Sequence, residues 1–193
     1  MAKKAYIIPA IIVLLLGVAA YRLFISPATP DHAINSYLKG EMAKLTLPES
    51  LEPVAPFVIM REDGSPVALD EMKGKTLLVN LWAPWCAPCR AEMQELAALQ
   101  RELGDDRFEV VAINVDRSSI AGARETLREW GVEGLALYAE PTMAIAIKMA
   151  EGKLPTSFII DSDAIVRAIY VGPLGWDKPE SVALFKALKE RLL

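Results

Sequence analysis

Cys86 and Cys89, three apart in the run Trp85-Cys86-Ala87-Pro88-Cys89, are the two cysteines of a 193-residue chain. Thiolates attack disulfides and also ligate metals, so the spacing admits redox exchange or one half of a zinc site. Zinc asks for two further Cys or His ligands. The single histidine, His32, lies in a proline-rich stretch where a solvated linker residue is the ordinary reading. No metal is expected. A purely structural disulfide also fits poorly, because closing so short a loop removes little unfolded-state entropy. Redox exchange remains, and it calls for no cofactor beyond the Cys86–Cys89 disulfide itself.

The elements that must position the pair are legible on either side of it. Thr76–Trp82 (TLLVNLW) is a continuous apolar run of strand length, as expected for a strand covered on both faces. The cysteines open a helix predicted to reach about Leu103, with Met93, Leu96, Leu99 and Leu103 on one stripe and Gly104 as its stop. At such a strand-to-helix junction, free backbone N–H groups and the positive end of the helix dipole stabilise a thiolate, which makes Cys86 the nucleophile. Cys89, inside the first turn, is less exposed but on the same side of the helix, and is expected as the resolving thiol. Pro88 suits the first turn, where its missing N–H costs nothing.

Phe57–Met60 and Val67–Leu69 flank Glu62-Asp63-Gly64-Ser65 as a hairpin. Phe108–Val115 reads as a second buried strand, and Ile120, Ala123, Leu127 and Trp130 as one face of a helix ended by Gly131. Leu135–Tyr138 has the length of a short strand, and Pro141–Met149 that of a short apolar helix. Ser157–Ile160 and Ile165–Val171 straddle Asp161-Ser162-Asp163 as a second hairpin. A last helix opens at Asp177, takes Glu180 as its capping-box partner and buries Val182, Phe185, Leu188 and Leu192. Strands alternating with helices, then a hairpin and a helix, predict an α/β fold with a mixed central sheet and helices on both faces. Asp116 is expected as a strand-end or capping aspartate, and Met143 and Met149 as core residues rather than copper ligands.

LLVNLWAPWCAPCRAEMQE over Leu77–Glu95 and GKLPTSFIID over Gly152–Asp161 resemble the thioredoxin superfamily, specifically its membrane-anchored TlpA-like and ResA-like branch. The resemblance covers about residues 46–193 and implies a thioredoxin-like fold with an N-terminal β-hairpin extension. It implies that Pro155 is cis and that the backbone around Thr156 pairs with a substrate chain as an added strand. Trp82 and Trp85 match the family's active-site aromatics, so Trp85, Pro88, Pro155 and Thr156 are the expected substrate contacts. Glu92 matches the acidic residue that adjoins the active site and assists proton transfer in the ResA-like branch. One helical turn past Cys89, it is placed to accept that thiol's proton, although a solvated helix carboxylate is an equally good account. Two positions depart from the pattern. Asn80 replaces a buried aspartate common among thioredoxins, and Gln94 replaces a helix-kinking proline, so a straighter helix is expected.

Residues 5–21 carry no charge between Lys4 and Arg22. As a helix they span about 26 Å, and Leu23, Phe24 and Ile25 complete a crossing of the hydrocarbon core of about 30 Å if Arg22 snorkels. The chain is thus expected to comprise a cytoplasmic amino terminus (1–4), a transmembrane anchor (5–25), a tether (26–45) and a thioredoxin-like domain (46–193). Lys3 and Lys4 favour an amino terminus left inside and an exported domain. A signal peptide cleaved near Val18-Ala19-Ala20 is the rival. Past residue 25 there are 18 basic against 25 acidic side chains, a balance of −7, which argues against nucleic acid and against a polybasic membrane-binding surface.

Together these readings describe a single-pass protein of a bacterial inner membrane with its catalytic domain in the periplasm. The expected activity is that of a monomeric thiol-disulfide reductase, fed by a membrane thiol donor and acting on exported proteins with reducible cysteine pairs. The resemblance implies clients in respiratory assembly, either copper-site cysteines of cytochrome oxidase and its assembly factors or haem-attachment cysteines of apocytochromes c. The Trp-Cys-Ala-Pro-Cys spelling leans toward the TlpA-like enzymes and the first client class. An oxidase that inserts disulfides would want a His where Ala87-Pro88 stands, and a copper-binding assembly chaperone would want a His or Met nearby.

Overall fold

The computed structural model describes residues 32–190; the expected anchor, the first part of the tether and Leu192 lie outside the described residues. No helix among the described residues is long and apolar enough to cross a membrane.

Hairpin strands β1 (Val58–Arg61) and β2 (Pro66–Ala68) precede the central strands β3 (Thr76–Trp82) and β4 (Phe108–Asn114). After them come β5 (Ala136–Ala139) and the antiparallel pair β6 (Thr156–Ile160) and β7 (Val166–Val171). They form one sheet in the order β2-β1-β5-β4-β3-β6-β7, parallel across β3, β4 and β5 and antiparallel elsewhere. Helices α1 (Ala87–Leu103), α2 (Ile120–Glu129), α3 (Ala144–Ala150) and α4 (Pro179–Lys189) complete a thioredoxin-like α/β fold, with the β1–β2 hairpin extending one edge of the mixed sheet.

All seven residues of β3 are buried, and the pleat sends alternate side chains to opposite faces. Leu78 and Trp82 join one core with Met93 and Leu96 of α1, Leu127 of α2 and Phe185 of α4. Leu77, Val79 and Leu81 join a second core with Ile59, Ile113, Phe158 and Ile145 of α3. Asn80 shares the parity of Leu78 and Trp82, so it faces α1. That helix runs unbroken for 17 residues to its cap at Gly104. Where the kinking proline is absent, Gln94 Nε2 donates to the carbonyls of Trp130 and Gly131 at 2.7 and 2.8 Å, tying the middle of α1 to the end of α2.

Three local expectations are revised. The packed body begins before residue 46. Ile34, Met42 and Leu45, expected in the tether, are 3%, 0% and 7% exposed and sit in the core under α1 and α4. A helical turn (His32–Asn35) and a 3₁₀ turn (Gly40–Lys44) carry them, and Thr46 then exchanges two backbone hydrogen bonds with Ile169 on β7. Burial of these three apolar side chains offsets the conformational entropy lost in ordering this stretch. The last helix starts at Pro179 rather than Asp177, with Lys178 at its N-cap and no capping box. Proline is preorganised for the first helical turn, and the Glu180 carboxylate turns away to accept from the Glu41 backbone N–H at 3.0 Å. The apolar helix α3 opens at Ala144, because the Glu140 carboxylate accepts from the backbone N–H groups of Thr142 and Ile145 and forms a turn over 140–143.

Candidate active site

The buried strand β3 delivers the chain to a four-residue loop, Ala83–Cys86, and α1 starts at Ala87. Cys86 is the N-cap of α1, in extended conformation, and its Sγ accepts from the Cys89 backbone N–H at 3.2 Å. Sulfur here takes the place that a serine or aspartate oxygen usually fills, so an unpartnered amide of the first turn points at the atom that would carry the thiolate charge. The two cysteines are joined as a disulfide with a Cα–Cα distance of 5.2 Å. Cys86 is 4% exposed and Cys89 fully buried, the order expected for an attacking and a resolving thiol. Pro88 stands in the first turn and, with Ala87, is exposed.

Beside the disulfide, Trp85 projects from the surface with 63% exposure. Its indole Nε1 donates to Asp116 Oδ2 at 2.9 Å, and Asp116 Oδ1 accepts from the Ser118 backbone N–H at 2.8 Å. Trp85 and Ser118 hold the Asp116 carboxyl below the usual aspartate range. Asp116 is therefore both the strand-end aspartate expected from sequence and the anchor of Trp85, while Ser119 takes the N-cap of α2. Trp82, at the end of β3, is wholly buried and meets Trp130 edge-on at 5.4 Å between ring centroids, so it packs rather than contacts solvent.

Beneath the disulfide lies Glu92, 2% exposed. Its Oε1 accepts from Asn80 Nδ2 at 2.7 Å; its Oε2 accepts from the Leu174 backbone N–H and from Trp176 Nε1, both at 3.0 Å. Three donors favour the carboxylate, but burial outweighs them and pushes its pKa up to about 7, with Glu95 adding a smaller push in the same direction. The alternative of a solvated helix carboxylate is thereby removed. Spacing of three residues on one helix puts Glu92 on the same face as Cys89, with Cβ atoms about 5–6 Å apart. Trp176 and Leu174 were not singled out from the sequence. Their only signal is a tryptophan inside Gly172-Pro173-Leu174-Gly175-Trp176, a loop composition that gives no reason for a fully buried indole.

The Leu154–Pro155 peptide is cis and Pro155 is buried. β6 begins at Thr156, opposite Leu81 at the active-site end of β3, so the cis-proline loop borders the cysteine loop. Thr156 itself does not fit a substrate-pairing role. It is fully buried, in register with Leu81 on one side and Val171 on the other, and its Oγ1 donates to the Lys153 carbonyl. A strand engaged on both sides has no free edge for a further chain. The Pro155 carbonyl is taken by the Gly172 N–H as well, which leaves the half-buried Leu154, before the cis peptide, as the nearest backbone position outside the sheet.

The Redoxin family model matches residues 47–184, more than half of the chain. The chain belongs to the Redoxin family. Among its relatives, the thiol:disulfide interchange protein HelX of Rhodobacter capsulatus is 28% identical over 177 residues, covering 92% of each chain. The thiol-disulfide oxidoreductase ResA of Bacillus thuringiensis is 29% identical over 116 residues, 60% of this chain and 66% of ResA, so the match spans just under two thirds of that relative's length. A Chlorobium tepidum protein assigned as the thiol:disulfide interchange protein DsbE superposes with a TM-score of 0.63 at 25% identity, over 75% of this chain and 99% of that one. In this Redoxin-family chain the cysteine pair is closed as a disulfide at the start of α1.

Proposed function

We propose that the protein is a periplasmic reductase of disulfides in exported clients, held at the membrane by residues 5–25. The observation that carries this reading is the buried acid one turn behind the resolving cysteine, Glu92, poised near neutrality. In the reduced enzyme the Cys86 thiolate attacks a client disulfide; a Cys86–client S–S bond forms and the client's other sulfur leaves as a thiolate that takes a proton from solvent. Cys89 then gives its proton to the Glu92 carboxylate and attacks Cys86 Sγ, which closes the Cys86–Cys89 disulfide and releases the second client sulfur. A membrane thiol donor of two electrons reverses the closure, and Glu92 returns the proton to Cys89. A carboxyl that ionises near neutral pH can both take and return that proton, which an ordinary glutamate at pH 7 cannot do efficiently.

Trp85, Pro88 and the cis-Pro155 loop form the lip that meets the client, with Leu154 rather than Thr156 offering backbone for pairing. Of the two client classes, haem-attachment cysteines of apocytochromes c are favoured over copper-site cysteines. Similarity to ResA and HelX and the acid at the ResA-like position support that choice, against the TlpA-like spelling of the cysteine motif. The test is trapping in cells. A Cys89→Ser variant should accumulate mixed disulfides from Cys86 to an apocytochrome c, and Cys86→Ser should trap nothing and abolish insulin-disulfide reduction. Turnover retained in Cys86→Ser would sink the assignment of the nucleophile; capture of a copper-site protein instead would move the client to the other class.

A further inference from the structure

The two oxygens of Glu92 are not held alike. Oε2 faces two donors fixed in the backbone loop and the core, Leu174 N–H and Trp176 Nε1–H, and no acceptor. Oε1 faces one donor, Asn80 Nδ2, which also donates to Ser157 Oγ at 3.0 Å. Asn80 is fully buried on β3, in register with Ser157 on β6, two residues beyond the cis-Pro155. Its own Oδ1 is buried with no hydrogen-bond partner among the described residues.

A proton cannot settle on Oε2 without meeting two N–H groups head-on, so it must settle on Oε1. Oε1 keeps one lone pair open; a proton that takes the other, the one facing Asn80, displaces Nδ2. Half a turn of the Asn80 amide brings the unpartnered Oδ1 to that place, where it can accept from both Glu92 Oε1–H and the Ser157 hydroxyl, which switches from acceptor to donor. The turn strands Nδ2 where Oδ1 stood, so the amide favours the carboxylate form and yields to the acid form at a cost. We infer that Asn80 is a positioning residue for the proton step: with Oε2 closed by Leu174 and Trp176, Oε1 is the exchanging oxygen of Glu92, and the Asn80 amide that donates there opposes its protonation and links a proton taken on that side to Ser157 beside the cis-proline loop.

This inference rests on Glu92 being the proton acceptor of the site. The other charged groups around Glu92 are Glu95 on α1, Lys178 in the 173–178 loop, Glu41 in the 3₁₀ turn and Glu180 on α4, which wall a cavity of about 450 Å³ beside it, together with the cysteine pair one turn back on α1. None of them touches Oε1 by a hydrogen bond, so a change at residue 80 isolates the Asn80 contribution.

The test is infrared titration of the oxidised full chain in detergent, following the carbonyl band of a protonated carboxylic acid that Glu92→Gln abolishes. In the native chain the band should titrate with a midpoint near 7. Asn80→Leu, close in volume and unable to donate, should raise that midpoint by about one pH unit or more, the size expected for one hydrogen bond to a carboxylate. Asn80→Asp, isosteric, should place two carboxyls face to face and give a pair sharing one proton, again with a midpoint above the native one. A midpoint unmoved or lowered in both variants overturns the role of Asn80 and leaves the Glu92 reading standing. A native band that survives in Glu92→Gln overturns both.

Discussion

Two indole–carboxylate pairs flank the disulfide, and they differ in one respect that decides their chemistry. On the outer side Trp85 Nε1 donates to Asp116 at 2.9 Å; on the inner side Trp176 Nε1 donates to Glu92 at 3.0 Å. Each carboxylate also accepts from a backbone N–H, at 2.8 Å and 3.0 Å. Yet Asp116 is held below the ordinary range while Glu92 is lifted to about 7. Hydrogen bonds push both acids the same way. Desolvation is what differs, because Asp116 sits at the rim and Glu92 is 2% exposed. The outer pair is a fixed negative charge that orients an exposed ring. On the proposed mechanism the inner pair stores a proton.

The comparison breaks most visibly in stability. A buried acid whose folded pKa stands above its unfolded value binds more protons folded than unfolded between about pH 4.5 and 7, so stability falls as pH rises through that window and then levels off. The shift from 4.5 to about 7 corresponds to at most about 3 kcal/mol. Glu92→Gln lacks this term. Unfolding of the oxidised full chain, followed by tryptophan fluorescence from pH 4.5 to 8, should show the variant gaining on the native chain as pH rises. A constant gap would mean that Glu92 is ionised in both states throughout.

Next in size is the rate. Removing the acceptor of the Cys89 proton should slow reduction of a protein disulfide near pH 7 on the order of 10²-fold in Glu92→Gln, with the loss in the release of the mixed disulfide rather than in its formation. Quenched-flow trapping of the mixed disulfide separates the two steps. Slower formation with normal release would shift the effect of Glu92 to Cys86.

The outer pair should respond least. Asp116→Asn keeps an acceptor for Trp85 or Ser118 and loses only a charge at a solvated rim, so its cost is expected below about 1 kcal/mol and its rate effect within a few-fold. Because the folded pKa of Asp116 is depressed, whatever it contributes is present above the unfolded value and is lost only as pH falls through the folded one. A loss comparable to that of Glu92→Gln would erase the distinction between rim and core.

Structure that neighbouring residues decide was legible in the sequence. The run Thr76–Trp82, the cysteines behind it and the stripe Met93–Leu96–Leu99–Leu103 all lie in one stretch, so the apolar run and the helical stripe placed β3 and α1 with the cysteines at their junction. Structure that a distant partner decides was not. Glu92 reads as a surface or a buried acid according to whether Trp176, 84 residues later, covers it, and periodicity reports that a face is covered without saying by what. Glu180 has capping-box spacing, but Glu41, 139 residues earlier, offers its N–H instead. Residues 34–45 were assigned to the tether on their prolines' neighbourhood, although Ile34, Met42 and Leu45 are the side chains that fill the gap beside α4. Thr156 was placed next to the substrate because it follows Pro155; only the register, Leu81 on one side and Val171 on the other, shows both its edges taken.

Whether Cys86 and Cys89 form a reducing couple is decided by the reduction potential of the pair. The helix N-terminus stabilises the Cys86 thiolate modestly, and Ala87-Pro88 brings no His or Lys between the cysteines to stabilise it further. Modest stabilisation leaves the disulfide favoured, so the full chain equilibrated in detergent with glutathione or dithiothreitol buffers, read by tryptophan fluorescence, should give a potential within about 50 mV of −270 mV. A value above about −180 mV would contradict the reductase account and make the protein a donor of disulfides instead.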